Sequence, residues 1–265
     1  MHLEFTKGQG AGNDFVILLD PHGDLELSDE LIRKLCDRRF GIGADGVLHA
    51  VLGDYAEEWD GPEWFMDYRN ADGSIAEMCG NGLRVFCKFL FENHRVPGHS
   101  VAVGTRAGLR TGQEFEDGSI EVSMGEAKLG QEVQIDAGGQ AYQALAVDVG
   151  NPHAVSYVSS VLAVDLSSAP TWLPETAFPA GVNTEFVERT APGKLNFRVF
   201  ERGSGETLAC GTGVVAAAAI EHESLPEDQS VTVETPGGTL QVRFADGQAY
   251  LKGPAELVFS GMWHD

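Results

Sequence analysis

Basic residues are scarce in this 265-residue chain: 18 Lys and Arg stand against 40 Asp and Glu, a formal net charge of −22. So acidic a surface repels phosphate backbones and anionic lipid, which argues against nucleic-acid or membrane-surface partners. The charge itself reads as colloidal stability, with the run Asp54-Tyr55-Ala56-Glu57-Glu58-Trp59-Asp60 as a solvated loop. No stretch approaches the roughly 20 apolar residues of a bilayer-spanning helix. The opening residues also lack the basic-then-apolar pattern of a secretory signal, so a cytoplasmic protein is expected. Cysteine is scarce too. The four present (Cys36, Cys79, Cys87, Cys210) form neither a CxxC pair nor a dense framework, so we expect reduced thiols and no metal site. Cys36 and Cys87, among apolar neighbours on expected helices, read as buried and inert.

The other two cysteines occupy copies of one device. Met78-Cys79-Gly80-Asn81-Gly82 and Ala209-Cys210-Gly211-Thr212-Gly213 each set a cysteine before a glycine-rich turn that runs into an apolar, helix-forming stretch. Asn70 lies nine residues before Cys79, and Glu201 nine before Cys210. Further upstream, Gly12-Asn13-Asp14-Phe15-Val16 echoes Gly150-Asn151-Pro152-His153-Ala154-Val155, in the frame of an internal duplication.

The pattern along the chain predicts a strand, a turn over residues 8–13 and a second strand over 15–19. Ser28 reads as the N-cap of a helix reaching residue 39, with Leu31, Leu35 and Phe40 on its apolar stripe. Strands follow over 47–51 and 64–68, and Asn70-Ala71-Asp72-Gly73 is a turn signal. The stretches after the two cysteines are apolar on nearly every side, as helices at the centre of a domain are. Most of the rest alternates like short strands. The fold expected is α/β (α+β): two domains, each a curved mixed or antiparallel sheet or barrel around a central helix. Their bounds are placed at residues 1–120 and 121–255, the change falling near 117–123.

A thiol at a helix N-terminus meets free backbone N–H groups and the positive end of the macrodipole, which lower its pKa and expose it as a base or nucleophile. The same N–H groups bind anions. If the domains face each other, Gly80, Asn81, Gly211 and Thr212 converge on one carboxylate, and an amino acid held there has its α-carbon between two sulfurs. One thiolate removes the α-proton while the opposing thiol protonates the other face. Stereochemistry then inverts with no cofactor.

These motifs, with Asn70-Ala71-Asp72-Gly73-Ser74 and the long run from Glu201 through Gly205-Glu206-Thr207-Leu208 to Gly213, resemble those of the diaminopimelate epimerase family over essentially the whole chain, as far as Gly253-Pro254-Ala255-Glu256. The resemblance implies a pyridoxal-phosphate-independent isomerase of lysine and peptidoglycan precursor synthesis, interconverting L,L- and meso-diaminopimelate. It implies pseudo-symmetric domains with the site in the inter-domain cleft, a tail of about 256–265 returning to the first domain, and a lean towards a homodimer. Residue by residue, it implies Cys79 and Cys210 as the acid–base pair and His153 and Glu201 as tuners of their pKa values. It further implies Asn13, Asn70, Asn151, Asn183 and Glu201 as substrate ligands, with Arg202 on the distal carboxylate, where a guanidinium fork fits. One position departs: Gly46 stands where certain relatives carry a glutamine that helps to hold substrate.

A racemase of proline or hydroxyproline type uses a related fold and a similar cysteine pair, but Arg202 and the four asparagines argue for a substrate with a second charged end. A cysteine hydrolase needs one nucleophilic thiol with a histidine base and leaves the second cysteine motif unexplained. A non-catalytic acidic binding protein explains neither motif.

Overall fold

The computed structural model of the protein describes residues 2–61 and 63–264. The chain divides into two compact units, Met1–Val122 with Gly253–Asp265, and Ser123–Lys252.

The first unit opens with β1 (His2–Gly10) and β2 (Asn13–Leu19), joined by Ala11 and Gly12. Both turn residues have positive φ (53° and 79°), the two-residue hairpin geometry that suits strand twist. The turn expected over residues 8–13 is therefore shorter, because Gly8 to Gly10 stay paired to β2. Helix α1 (Asp29–Cys36) follows, and the Ser28 hydroxyl accepts from the Leu31 N–H as the expected N-cap. It ends three residues earlier than expected. Asp37 leaves the helical region and its carboxylate accepts from the N–H groups of Arg39 and Phe40, while Ile42 and Gly43 donate back to the Leu35 carbonyl. Phe40 is thereby left 92% exposed, off the apolar stripe, and Ile32, Leu35 and Cys36 form the buried face instead.

β3 (Gly46–Leu52), β4 (Trp64–Asn70), α2 (Gly80–Glu92), β5 (Ser100–Thr105), β6 (Gly108–Glu114) and β7 (Ile120–Gly125) complete the run. β2 lies parallel to β3, β3 antiparallel to β4, β4 parallel to β5, and β5 and β6 antiparallel to their successors. Helix α2 packs against β1, β2, β3, β4 and β6, and buries Leu83, Val85, Phe86, Leu90 and Phe91 at their centre.

The second unit repeats this plan. β8 (Lys128–Ala137) pairs with β9 (Gln140–Asp148), β9 with β10 (Pro152–Tyr157), and the short β11 (Thr171–Leu173) adds to β8. β10 is parallel to β12 (Asn183–Ala191), β12 antiparallel to β13 (Lys194–Glu201), and β13 carries the short β14 (Gly205–Thr207). After α3 (Gly211–His222), β15 (Val231–Thr235) runs parallel to β13, and β16 (Gly238–Ala245) and β17 (Gln248–Gly253) close antiparallel. Antiparallel, parallel, antiparallel, helix, parallel, antiparallel is the order in both units. The architecture is a sheet-dominated α+β fold of two pseudo-symmetric halves, each with one buried helix. The last strand, β18 (Glu256–His264), returns to the first unit and pairs antiparallel with β1. Among the described residues no helix is long and apolar enough to cross a membrane.

Candidate active site

Both cysteines of the repeated motif are helix N-caps. Cys79 has extended backbone angles (φ −135°, ψ 118°) and its sulfur accepts from the Gly82 N–H at 3.4 Å. Cys210 caps α3 with similar angles (φ −113°, ψ 114°), and its sulfur lies 3.5 Å from the Thr212 hydroxyl. Gly80 and Gly211 begin the helices, so each sulfur stands at a first helical turn, whose N–H groups have no carbonyl partner within the helix, as an anion site requires.

Around Cys79 the first unit brings Asn13 and Asn81 together. The Cys79 thiol donates to Asn13 Oδ1 at 3.6 Å, and Asn81 Nδ2 donates to the same oxygen at 3.4 Å. Asn13 is oriented from behind by Asp45, which accepts from Asn13 Nδ2 at 2.6 Å and is itself held by Arg38. Sequence reasoning missed Asp45, whose only signal was its place in a Gly-rich turn. Asn70 closes β4 and bonds Ser74 through both its backbone N–H and its side-chain amide.

In the second unit a hydrogen-bonded chain leads to Cys210. Glu185 Oε1 lies 2.6 Å from His153 Nδ1, His153 Nε2 lies 2.9 Å from Asn151 Oδ1, and Asn151 Nδ2 donates to Thr212 Oγ1 at 3.3 Å. Asn183 sits apart from this chain: its Oδ1 accepts from the Arg202 N–H and its Nδ2 donates to the Pro152 carbonyl. Arg202 is exposed, with Nη1 on the Ala180 carbonyl, and Glu201 accepts from the Thr207 hydroxyl. Glu185, fully buried beside His153, was not picked out from the sequence. The one available sign was its spacing of two from Asn183, which puts both on the same face of a strand.

The expectation of a lowered thiol pKa is overturned at Cys210. Burial first, and then the charges of Glu201 and Glu185, push its thiol well above the ordinary value, against a smaller pull from Thr212. A helix terminus contributes about 0.3–1 kcal/mol at exposed sites and up to ~2 in favourable ones. Full desolvation moves a pKa by several units, roughly 3–5 at the extreme, so burial among carboxylates wins. Cys210 is a protonated thiol in this state. Burial likewise raises Glu185 above the usual carboxylate range, despite the imidazole beside it. Cys36 and Cys87 are pushed up to about 12 by burial, in keeping with inert side chains.

Strand register shows which residues of the two halves correspond. Phe15 of β2 is paired with Gly46 of β3, and His153 of β10 with Asn183 of β12. Ile17 opposite Leu48 then matches Val155 opposite Glu185. Gly46 is thus the counterpart of Asn183, and it has no room for a side chain: a Cβ there would lie 2.5 Å from the Arg69 carbonyl oxygen. The first half has Phe15 and Leu48 where the second has His153 and Glu185. Among the described residues no cluster of three or more His, Cys, Asp or Glu could hold a metal ion.

Comparison with known proteins gives the same duplicated plan a lineage. The family model for diaminopimelate epimerase matches residues 5–130 and 145–258. A diaminopimelate epimerase of Thermobifida fusca is 47% identical over 98% of this chain and 97% of its own length. That of Streptomyces coelicolor is 42% identical over 98% and 94%. Among solved structures, a phenazine biosynthesis protein of the PhzF family from Bacillus anthracis covers 100% of both chains with a TM-score of 0.72 at 15% identity. A hydroxyproline epimerase from Agrobacterium vitis covers 98% of this chain and 92% of its own, with a TM-score of 0.71 at 14% identity. At such identities these structures share the fold alone, whereas the sequence match runs through both cysteine motifs; the chain belongs to the diaminopimelate epimerase family.

Proposed function

We propose that this protein is an isomerase that interconverts L,L- and meso-diaminopimelate by moving a proton at one α-carbon between two thiols, Cys79 and Cys210. The observation that carries the reading is the duplicated placement of a cysteine as N-cap of a buried helix in each unit. One thiolate abstracts the α-proton and the other thiol protonates the opposite face, so the stereocentre inverts and the two sulfurs exchange roles. Developing carbanion charge spreads into the α-carboxylate, which the N–H groups at the helix starts, from Gly80, Asn81, Gly211 and Thr212, are suited to hold.

Asn13, Asn70, Asn151 and Asn183 are assigned to the polar groups of the substrate, with Glu201 on the ammonium side and Arg202 on the distal carboxylate. The chain from Glu185 through His153 and Asn151 to Thr212 keeps the Cys210 proton in place until it is needed. The units Met1–Val122 with Gly253–Asp265 and Ser123–Lys252 serve as the two epimerase domains. From the family resemblance we also expect a cytoplasmic homodimer in lysine and peptidoglycan precursor synthesis. A monomer by sedimentation would remove the oligomeric part of that reading.

Incubation with L,L-diaminopimelate in deuterated water, without added pyridoxal phosphate, tests the reaction and the substrate together. The meso product should carry deuterium at one α-carbon, and Cys79→Ala and Cys210→Ala should each lose epimerisation by at least ~10³-fold. Robust turnover by either variant would sink the two-thiol mechanism. Inversion of proline in place of diaminopimelate would move the chain to the racemase reading.

A further inference from the structure

Arg84 is the largest fully buried side chain among the described residues, and it stands at 0% exposure in the middle of α2. Its Nη2 donates to Asn81 Oδ1 at 3.0 Å and its Nε to the Pro254 carbonyl at 3.4 Å, while Nη1 has no partner. No carboxylate of the described residues pairs with it. A buried guanidinium without a counter-charge is strongly unfavourable, so its presence calls for negative charge nearby. The room for it is built in. A Cβ on Gly10 of β1 would lie 3.4 Å from Arg84 Nη2 and closer still to α2 itself.

Hydrogen bonds lead from this cation to the first thiol: Arg84 to Asn81, Asn81 to Asn13 Oδ1, and Cys79 to the same oxygen. The second half inverts this electrostatic arrangement. Five residues after Cys210 stands Val215 where Arg84 follows Cys79, and Glu185 with His153 occupies the places of Leu48 and Phe15.

We propose that Arg84 is a positioning residue for the first thiol: its buried, carboxylate-free guanidinium, on the same helix that Cys79 caps, favours the thiolate there by its charge, together with the Gly82 N–H on the sulfur and against Asn13 Oδ1, which accepts from the protonated form. Cys79 then rests as the base and Cys210 as the acid, so the free enzyme is poised in one direction. This rests on the two-thiol reading above. Burial brings Arg84 down to about 10, still charged at neutral pH, and a thiolate at Cys79 would act the other way by a smaller amount.

The other charged groups on elements packed against α2 are engaged elsewhere. Lys7 and Arg38 hold Asp14, His49 bonds Asp20 and Asp67, and Arg69 and Arg106 also grip Asp67. Lys88 pairs with Glu114 and Glu92, and Glu256 accepts from Gln9. Arg110 of β6 is half-buried with an unpartnered Nε, and Glu77, next to the cysteine loop, is exposed.

The test reads Cys79 directly, with no substrate present. In a Cys210→Ala chain, the rate of iodoacetamide alkylation at Cys79 is followed against pH by peptide mass spectrometry. Arg84→Gln should raise the midpoint by about one pH unit or more, slowing alkylation at neutral pH about tenfold. Arg84→Lys should restore most of the shift. Coincident midpoints for Arg84→Gln and the parent would overturn the proposal. Should Arg84→Gln not fold, the parent chain decides. Cys79 in Cys210→Ala must titrate at least about two pH units below Cys210 in Cys79→Ala, and equal or reversed midpoints would refute it. Either failure leaves the proposed epimerisation standing, because that depends on turnover by the single-cysteine variants.

Discussion

Gly213 shows what a single missing side chain does near Cys210. A Cβ there would lie 2.6 Å from Glu185 Oε1, and Glu185 is fully buried and tied to His153, so it has nowhere to retreat. At the matching Gly82 the nearest atom is a Leu48 methyl at 3.2 Å, which can give way. Gly213→Ala should therefore cost about 1–3 kcal/mol in denaturant unfolding, and Gly82→Ala less than half of that. Equal losses would mean that the Glu185 contact does not decide the position. A second residue-scale consequence concerns acid. Burial opposes ionisation of Asp14, but Arg38 and Lys7 outweigh it and hold the carboxyl down to about 2, from 3.8 when unperturbed. Because the folded value is the lower one, the stabilisation is complete above the unfolded pKa and is lost as pH falls towards about 2. Asp14→Asn should flatten stability against pH between about 4 and 2, and an unchanged slope in that window would count against the pairing.

Each central helix fits its sheet by a different route. Helix α2 fills its cavity with Leu83, Phe86, Leu90 and Phe91, whereas α3 has Ala216, Ala217, Ala218 and Ala219 with all four buried. An alanine helix lets strands approach its backbone closely, which leaves no slack. Ala217→Leu should accordingly destabilise the protein by roughly 1–3 kcal/mol through overpacking; a wild-type unfolding midpoint would show unfilled space beside α3. Both helices were legible from composition, since an apolar stretch with no polar face belongs in a core. The early end of α1 was not. Phe40 continues the apolar spacing of Leu31 and Leu35, and the chain leaves the helix before it through side-chain and backbone hydrogen bonds that a period count does not contain.

At the scale of the whole molecule, β18 shows how far apart in sequence a single sheet can be assembled. It joins β1 over eight register pairs, from His2 with His264 to Gln9 with Glu256. Deleting residues 256–265 removes β1's outer partner and leaves an unpaired edge. The truncated chain should aggregate or lose protection of β1 amides in hydrogen exchange, and a soluble product with protected β1 amides would contradict this. Local sequence determined a good deal here: the duplicated Cys-Gly-Xaa-Gly turns, the two buried helices with a cysteine at the start of each, and the strands between them. These follow from short-range rules, because caps, turns and apolar periods are properties of neighbours along the chain. Only the tertiary structure decided how the surroundings of the two cysteines differ. Register across parallel strands set Glu185 and His153 in one half against Leu48 and Phe15 in the other, and burial left Arg84 as a cation without a carboxylate. Charge acts through space and is amplified by desolvation, so two motifs that are nearly the same in sequence meet different electrostatic surroundings once folded, and burial among carboxylates pushes the Cys210 thiol up.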